Sequence, residues 1–456
     1  MKQDSHKKPR YSKTIALILF VIFSLSACDY TLLSESSAVA NTNEPNSTFS
    51  RPAEETPVKP SDFTPVGELH FLEIRENAQL NGFPSDQGFY RFVPREDGSA
   101  NLLYTDFASL QEVYLCNQPN CTHSNDSCSS WFPTHAGTHL AVPFEDTLVI
   151  VHNGIQGYTD AWAKEMLPAI DVATLSGADR KRAVSFPANF QIPSQSSFAK
   201  DDKYLYFTVA EYQSDATFLY LYALDVTTQE VHRLNQLEGA NEKIVGVDGT
   251  DLIMSSQAEN VDVKMLNYTD VQVTRYHLSS GEDEPIFTHS FLDVGGCING
   301  KYYLLGKDGS LKTYDLNNGN CISDIPVNLP SAFENLQIGT NYDGIFDNHI
   351  VIHTWETVGD EPSKLLYYAV SVDTGVAIEL KHRFDATQST QLPKLIIAQV
   401  GQSFLIDNEI ETIMAGFPIP DGETIEVEYN IKRFALMGKE TYWNNGSKQE
   451  NIHMPD

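Results

Sequence analysis

Three cysteines and a histidine fall in one short segment, Leu115-Cys116-Asn117-Gln118-Pro119-Asn120-Cys121-Thr122-His123-Ser124-Asn125-Asp126-Ser127-Cys128. Thiolate sulfur and imidazole nitrogen are donors that Zn²⁺ takes readily, four of them at about 2.0 to 2.3 Å in a tetrahedron. A Cys3His set would fill that shell and leave no open position, so the zinc implied by Cys116, Cys121, His123 and Cys128 is structural rather than catalytic. The spacing C-x4-C-x-H-x4-C lacks the paired C-x2-C knuckles of common zinc modules, and two other readings stay open. Export to an oxidising compartment would favour a disulfide between two of the three cysteines, and all three could remain free thiols. His135 and His139 lie just downstream; they offer alternative ligands, but in a polar loop they read first as solvated side chains. Cys297 and Cys321, if placed on the innermost and outermost strands of one sheet, would sit about 14 Å apart, beyond the Cα limit of about 7 Å for a bridge. They read as small apolar side chains.

Cys28 offers a different chemistry. Lys2, Lys7, Lys8, Arg10 and Lys13 precede the apolar run Thr14 to Leu25, the charged and hydrophobic regions of an export signal. That run is shorter than the roughly 20 residues a membrane span needs, and it ends at Leu25-Ser26-Ala27-Cys28. The tetrapeptide resembles the lipobox of bacterial lipoproteins, whose cysteine forms a thioether to a diacylglycerol and becomes the new N-terminus. At about 0.8 kcal/mol per buried CH₂, two acyl (palmitate-like) chains hold a protein stably on a membrane where one would not. Residues 1–27 are then the signal peptide and 28–65 a lipid-anchored tether. This stretch is rich in Ser, Thr, Asn, Glu and Pro without apolar periodicity. Its roughly 37 residues would span on the order of 35 Å as a disordered coil. The implied location is the extracytoplasmic face of the cell membrane.

The 456-residue chain carries 61 acidic and 31 basic residues, a formal charge of -30. Removing residues 1–27 deletes five bases and one acid, giving 26 against 60 and a net of -34. Nucleic acid binding relies on clustered Lys and Arg, so this balance excludes a nucleic-acid partner. It also repels anionic headgroups, which leaves the lipid as the membrane attachment.

The elements that must position the cysteine segment repeat along residues 66–456. A polar turn feeding an apolar or aromatic strand recurs at Phe144 to Val151, Asp201 to Phe207, Val247 to Met254, Ile298 to Leu305 and Phe346 to Ile352. A strand ending in an Asp, Asn or Ser turn recurs at Tyr222-Ala223-Leu224-Asp225, Tyr276 to Gly281, Tyr314 to Gly319 and Ser371 to Gly375. Asn and Gly in such turns supply the positive φ of tight hairpins, and β-branched and aromatic flanks suit a half-buried pleated surface. Taking the second-element turns at Asp106, Asp171, Asp225, Ser279, Asn317 and Asp373 gives spacings near those of four-stranded propeller blades. The fold class is therefore all-β, a single β-propeller of about seven blades after a tether; six or eight also fit the spacing. Glu428 to Leu436 is expected to complete the first blade or pack beside it.

With the lipobox, the repeated aromatic hairpins, the Leu-Cys-x4-Cys-x-His stretch and the late Glu440-Thr441-Tyr442-Trp443, the chain resembles uncharacterised propeller lipoproteins of Gram-positive, clostridia-like bacteria. The resemblance implies architecture and no activity.

No nucleophile elbow, phosphate loop, His-Glu-x-x-His or calcium loop occurs in the sequence. Asp201-Asp202 and Glu54-Glu55 read as solvated turn and tether residues. The expected function is a surface-tethered binding or scaffold module for an extracellular peptide, glycan or protein partner, with no catalytic residue assigned. The alternatives are an extracellular hydrolase of glycan or peptide, with carboxylates meeting at the channel mouth, and an accessory protein of envelope assembly or sensing.

Overall fold

The computed structural model describes residues 64–74, 82–154, 167–194, 196–213, 216–239, 241–257, 270–306, 308–329, 341–358, 361–384, 393–418 and 424–455. Its contacts separate residues 1–51 from a unit formed by Pro52–Asp456. The signal peptide, Cys28 and nearly all of the 28–65 tether lie outside the described residues.

Seven antiparallel sheets follow one another along the chain and form the blades of a ring. Blade 1 holds Gly88–Pro94, Ala100–Asp106, Gln111–Tyr114 and Trp131–Phe132; blade 2 holds His139–Pro143, Thr147–His152, Ala169–Thr174 and Lys181–Ser185. Blade 3 is Phe198–Lys200, Tyr204–Tyr212, Thr217–Asp225 and Val231–Gln236, with His70–Leu72 and Phe190–Gln191 added. Blade 4 runs from Lys243–Asp248 to Glu282–His289, blade 5 from Val294–Ile298 to Cys321–Pro326, and blade 6 from Asn341–Phe346 to Ala377–Glu379. Blade 7 comprises Ile396–Val400, Ser403–Pro418, Thr424–Gly438 and Glu450–Asn451.

Local chemistry explains the hairpins. Asn299 and Gly300 have φ of 51° and 70°, and Asp347 and Asn348 have 45° and 59°. Two consecutive positive values match the turn whose twist suits a right-handed strand pair, and Gly, Asn and Asp tolerate them best. The strand faces then meet between blades. Each of the seven junctions holds its own buried cluster, as at blades 3 and 4 with Tyr206, Leu221, Leu252 and Tyr276, and at blades 6 and 7 with Tyr367, Phe404, Ile406 and Tyr442. Apolar area removed from water on both faces of every sheet holds the ring together.

Up-and-down connectivity sorts the loops by face. Turns joining first to second and third to fourth strands lie on one face; second-to-third connections and the crossings between blades lie on the other.

Blade 1 departs from the plan. Its inner position is taken by residues 82–84, through the bridge Pro84↔Phe89 and a parallel bridge Gly82↔Ala141 to blade 2. Gln111–Tyr114 and Trp131–Phe132 both pair with Ala100–Asp106, so they are two pieces of one outer strand interrupted by residues 115–130. Third strand Thr424–Gly438 of blade 7 packs beside blade 1, where Ile431 meets Val93 and Leu103, and Phe434 meets Phe89. The segment 428–436 therefore packs beside the first blade but belongs to the seventh, and the extra edge contact on blade 1 comes from His453, opposite Gln111.

Three sequence expectations need correction. Asp171 lies inside the third strand of blade 2, whose turn follows Thr174. Asp201 is 2% exposed, because it accepts hydrogen bonds from the Val66, Lys203 and Tyr204 amides and the Tyr206 hydroxyl. His135 and His139 are buried, not solvated. In contrast Cys297 and Cys321 fall on the first and fourth strands of blade 5, in one row through Tyr302 and Tyr314, and both are free.

Candidate metal centre

The interruption in the outer strand of blade 1 is where the four predicted donors meet. The Leu115 amide still pairs with the Leu102 carbonyl at 3.0 Å, and then the chain turns out of the sheet. The Ser129 and Ser130 hydroxyls donate to the Leu115 and Leu102 carbonyls, both at 2.8 Å, and stitch the base of the loop shut. Inside it, Gln118 Nε2 donates to the Ser127 carbonyl at 2.8 Å, and the Asn125 carboxamide caps the Ser127 amide at 3.1 Å. Asn120 and His123 adopt positive φ, 58° and 52°, which lets so short a loop fold back on itself.

His123 is held from behind. Its carbonyl accepts from Asn101 Nδ2 at 2.9 Å and Arg95 Nη1 at 3.3 Å, and its ring stacks on Tyr114. Its Nδ1 lies 3.2 Å from Cys128 Sγ, and its amide donates to Cys121 Sγ at 3.4 Å. The donor atoms of Cys116, Cys121, His123 and Cys128 all fall within 4.8 Å of one another. A tetrahedral ion with bonds of about 2.0 to 2.3 Å needs donor separations of about 3.3 to 3.8 Å, so a small contraction would close the shell. All three cysteines are free.

The electrostatics differ from donor to donor. Burial, reinforced by the Arg95 charge, lowers the His123 pKa and keeps the imidazole neutral, as a ligand must be. Burial pushes the Cys128 thiol up to about 12. Burial also opposes ionisation of Cys116, but the Gln118 N–H and donors from Cys128, Cys121 and Ser129 outweigh it and lower that thiol. Arg180 of blade 2 lies over the Phe132 ring at 4.1 Å and senses the charge of Cys128, and its Nη1 is buried with no hydrogen-bond partner among the described residues. Three thiolates, an imidazole and Zn²⁺ would carry one net negative charge, which this guanidinium is placed to balance.

A second group of polar residues was missed by sequence reasoning. Thr134, His139, His152 and Asp171 form a buried chain: Thr134 Oγ1 to His139 Nε2 at 2.7 Å, His139 Nδ1 to His152 Nδ1 at 3.0 Å, and His152 Nε2 to Asp171 Oδ2 at 2.9 Å. Arg182 Nε donates to the other Asp171 oxygen. Since the carboxylate only accepts, His152 carries its proton on Nε2 and His139 on Nδ1, and the Thr134 hydroxyl donates to the remaining nitrogen. Every group is satisfied with both imidazoles neutral. His139 and His152 open and close one hairpin in the sequence, and only the register shows them to be a cross-strand pair at its open end.

No protein-family model matches the chain, and no curated protein matches it. Solved structures that are similar include the acylaminoacyl peptidase of Pyrococcus horikoshii, at 9% identity and a TM-score of 0.45 over 84% of this chain and 52% of that one. The β-propeller domain of the Trilobed protease from Pyrococcus furiosus gives 9% and 0.41 over 85% and 96%. Dipeptidyl peptidase 4 of Porphyromonas gingivalis gives 10% and 0.41 over 80% and 65%. The chain spans about half the length of the first of these.

Proposed function

We propose that this chain is a lipoprotein anchored through Cys28 at the outer face of the cell membrane. Its ring acts as a binding or scaffold module for an extracellular peptide, glycan or protein, and its cysteine loop is closed by a structural zinc ion. The observation that carries the reading is the packing of the ring. Seven junctions, each with its own buried cluster, make a stiff platform from which loops can present contacts without a large ordering cost on binding. The converging Cys3His donors, and the Arg180 nitrogen that has no hydrogen-bond partner among the described residues, support zinc in the loop. When bound, zinc would supply cross-linking of the loop, with Cys116, Cys121, His123 and Cys128 as its ligands and Asn101 and Arg95 orienting the histidine backbone.

The test presents the purified body with fluorescent cell-wall glycan fragments and extracellular peptides, and follows retention and cleavage together. Saturable retention of an intact fragment is the expected result. Cleavage would assign the ring to a hydrolase, and retention of neither class, with crosslinks on intact cells only to envelope proteins, would assign it to assembly or sensing. Native mass spectrometry before and after chelation reads the metal separately, as a loss near 65 Da for zinc.

A further inference from the structure

The first described strand, His70–Leu72, does not join the first or last blade. It pairs antiparallel with Phe198–Lys200, matching His70 to Lys200 and Leu72 to Phe198. Phe198–Lys200 is the first strand of blade 3, and first strands of successive blades touch one another around the ring's centre, as do those of blades 3, 4, 5 and 6. A strand added to that edge stands on the axis. It touches the first strand of blade 4 as well. Leu69 is buried and Phe71 packs with it on the cluster between blades 3 and 4.

Both ends of this strand are tied to opposite faces. At one end the Val66 amide donates to Asp201 Oδ2 at 3.0 Å, the Asp202 amide to the Val66 carbonyl at 3.1 Å, and the Leu69 amide to the Gly249 carbonyl at 3.3 Å. Asp201, Asp202 and Gly249 belong to first-to-second turns, so the chain enters on the face carrying those turns. At the other end the Ile74 amide donates to Ser197 Oγ at 3.0 Å, where blade 3 begins. The chain thus crosses the thickness of the ring along its middle.

We propose that this axial strand stoppers the channel and sends the tether out through the centre of the tight-turn face. The face turned away from the membrane is then the opposite one, toward which the Ser403–Pro418 and Thr424–Gly438 strand pair extends. The proposal rests on the anchored binding-module reading and sets the orientation of the ring within it. Exposed carboxylates at Glu145, Asp146, Asp202 and Asp347 stud the tether's face. They repel anionic headgroups and hold that face off the bilayer rather than docking it.

Two measurements on the acylated full-length chain test this. In the first, a dye is carried by an azido amino acid at Lys301, which opens the second strand of blade 5, or at Asp308, in the turn after that strand's far end; both are exposed. The strand between them, four steps from Lys301 to Leu305 at about 3.3 Å per residue, sets them on the order of 13 Å or more apart across the ring. With the chain in vesicles containing a headgroup-labelled acceptor lipid, energy transfer is expected to be higher from Lys301; equal or reversed transfer overturns the orientation. The second is hydrogen exchange of the amides from Leu69 to Ile74, expected to be as slow as that of Tyr204–Tyr212 in the same sheet. Free exchange there overturns the stopper. A chain that never associates with vesicles sinks the anchor and the orientation together, while the exchange measurement still judges the stopper.

Discussion

The Tyr114 ring lies flat on the His123 imidazole, with centroids 4.2 Å apart and planes inclined by 18°. Tyr114 also packs on the seam between the first and last blades, against the group formed by Val93, Leu103, Ile431, Ile413 and Met454. The candidate metal loop therefore touches the place where the ring closes, and what orders one should be felt by the other.

Removing the support behind His123 should weaken metal binding without removing a ligand. Asn101→Ala deletes the 2.9 Å hydrogen bond to the His123 carbonyl, and partners of this kind typically contribute a factor of 10 to 100 in affinity. Zinc affinity measured by chelator competition should fall by about that factor, while His123→Ala should abolish tight binding. Cobalt substitution gives a second readout, since the visible absorption of a tetrahedral thiolate site would weaken in Asn101→Ala and vanish in His123→Ala.

The seam should depend on a buried ion pair. Arg91 forms two hydrogen bonds to Glu112, each of 2.7 Å, donates to the Lys432 carbonyl of blade 7 at 2.6 Å, and stacks over Phe434 at 4.2 Å. Arg91→Met leaves the Glu112 carboxylate buried and unpaired, which costs about 3 to 5 kcal/mol. Urea unfolding should show a lower midpoint for the single variant and recovery of most of the loss when Glu112→Leu is added. Equal loss in both variants would assign the stability to packing of the arginine instead.

Close backbone approach at the same seam should make Gly98 irreplaceable. Its φ is +81°, and a Cβ there would lie 2.2 Å from the Gly416 carbonyl oxygen of the blade 7 hairpin. Gly98→Ala combines the left-handed penalty with a clash against backbone. About 1 to 3 kcal/mol of stability should be lost, and amides around Gly416 should exchange faster.

Acid should loosen blade 2 by a path that can be isolated. Burial lowers the pKa of both His139 and His152, with the facing imidazole adding to the effect at His139. At His152 the Asp171 carboxylate opposes burial, while Arg182 and Arg180 reinforce it. Each unfolded imidazole takes up a proton near pH 6.5 that its folded counterpart resists, so stability is full above that pH and falls as pH drops below it. The slope is up to about 1.4 kcal/mol per pH unit for each histidine. Asp171, held well below the usual carboxylate range with burial overcome by His152 and Arg182, adds a further loss below about pH 4. Urea midpoints between pH 7.5 and 5 should fall for the native chain and fall less steeply for His152→Gln; parallel slopes would clear the histidine pair of any role.

Much of the blade structure was legible because its signals are local. Asn299-Gly300 and Asp347-Asn348 announce hairpins by the φ they accept, and the strands beside them announce themselves by aromatic and β-branched residues. The misreading of Asp171 has a physical cause: an aspartate marks a turn when its carboxylate caps nearby amides, as Asp225 does for Thr227 and Thr228. Here the carboxylate is instead taken by His152 and Arg182 on neighbouring strands. Asp201 was misread for a related reason, since the amides of Lys203 and Tyr204 were visible partners but Val66, distant in sequence, was not.

The order of residues by itself determined the strands, the tight turns, the approximate blade number and the clustering of three cysteines with a histidine, because each depends on neighbours a few positions apart. Tertiary structure alone decided which blade takes the 428–436 segment, that His70 pairs with Lys200 on the axis, and that Arg91 reaches the Lys432 carbonyl. Burial of apolar surface favours compaction without naming partners, so pairings across hundreds of residues emerge only when all seven sheets compete for the same enclosed volume.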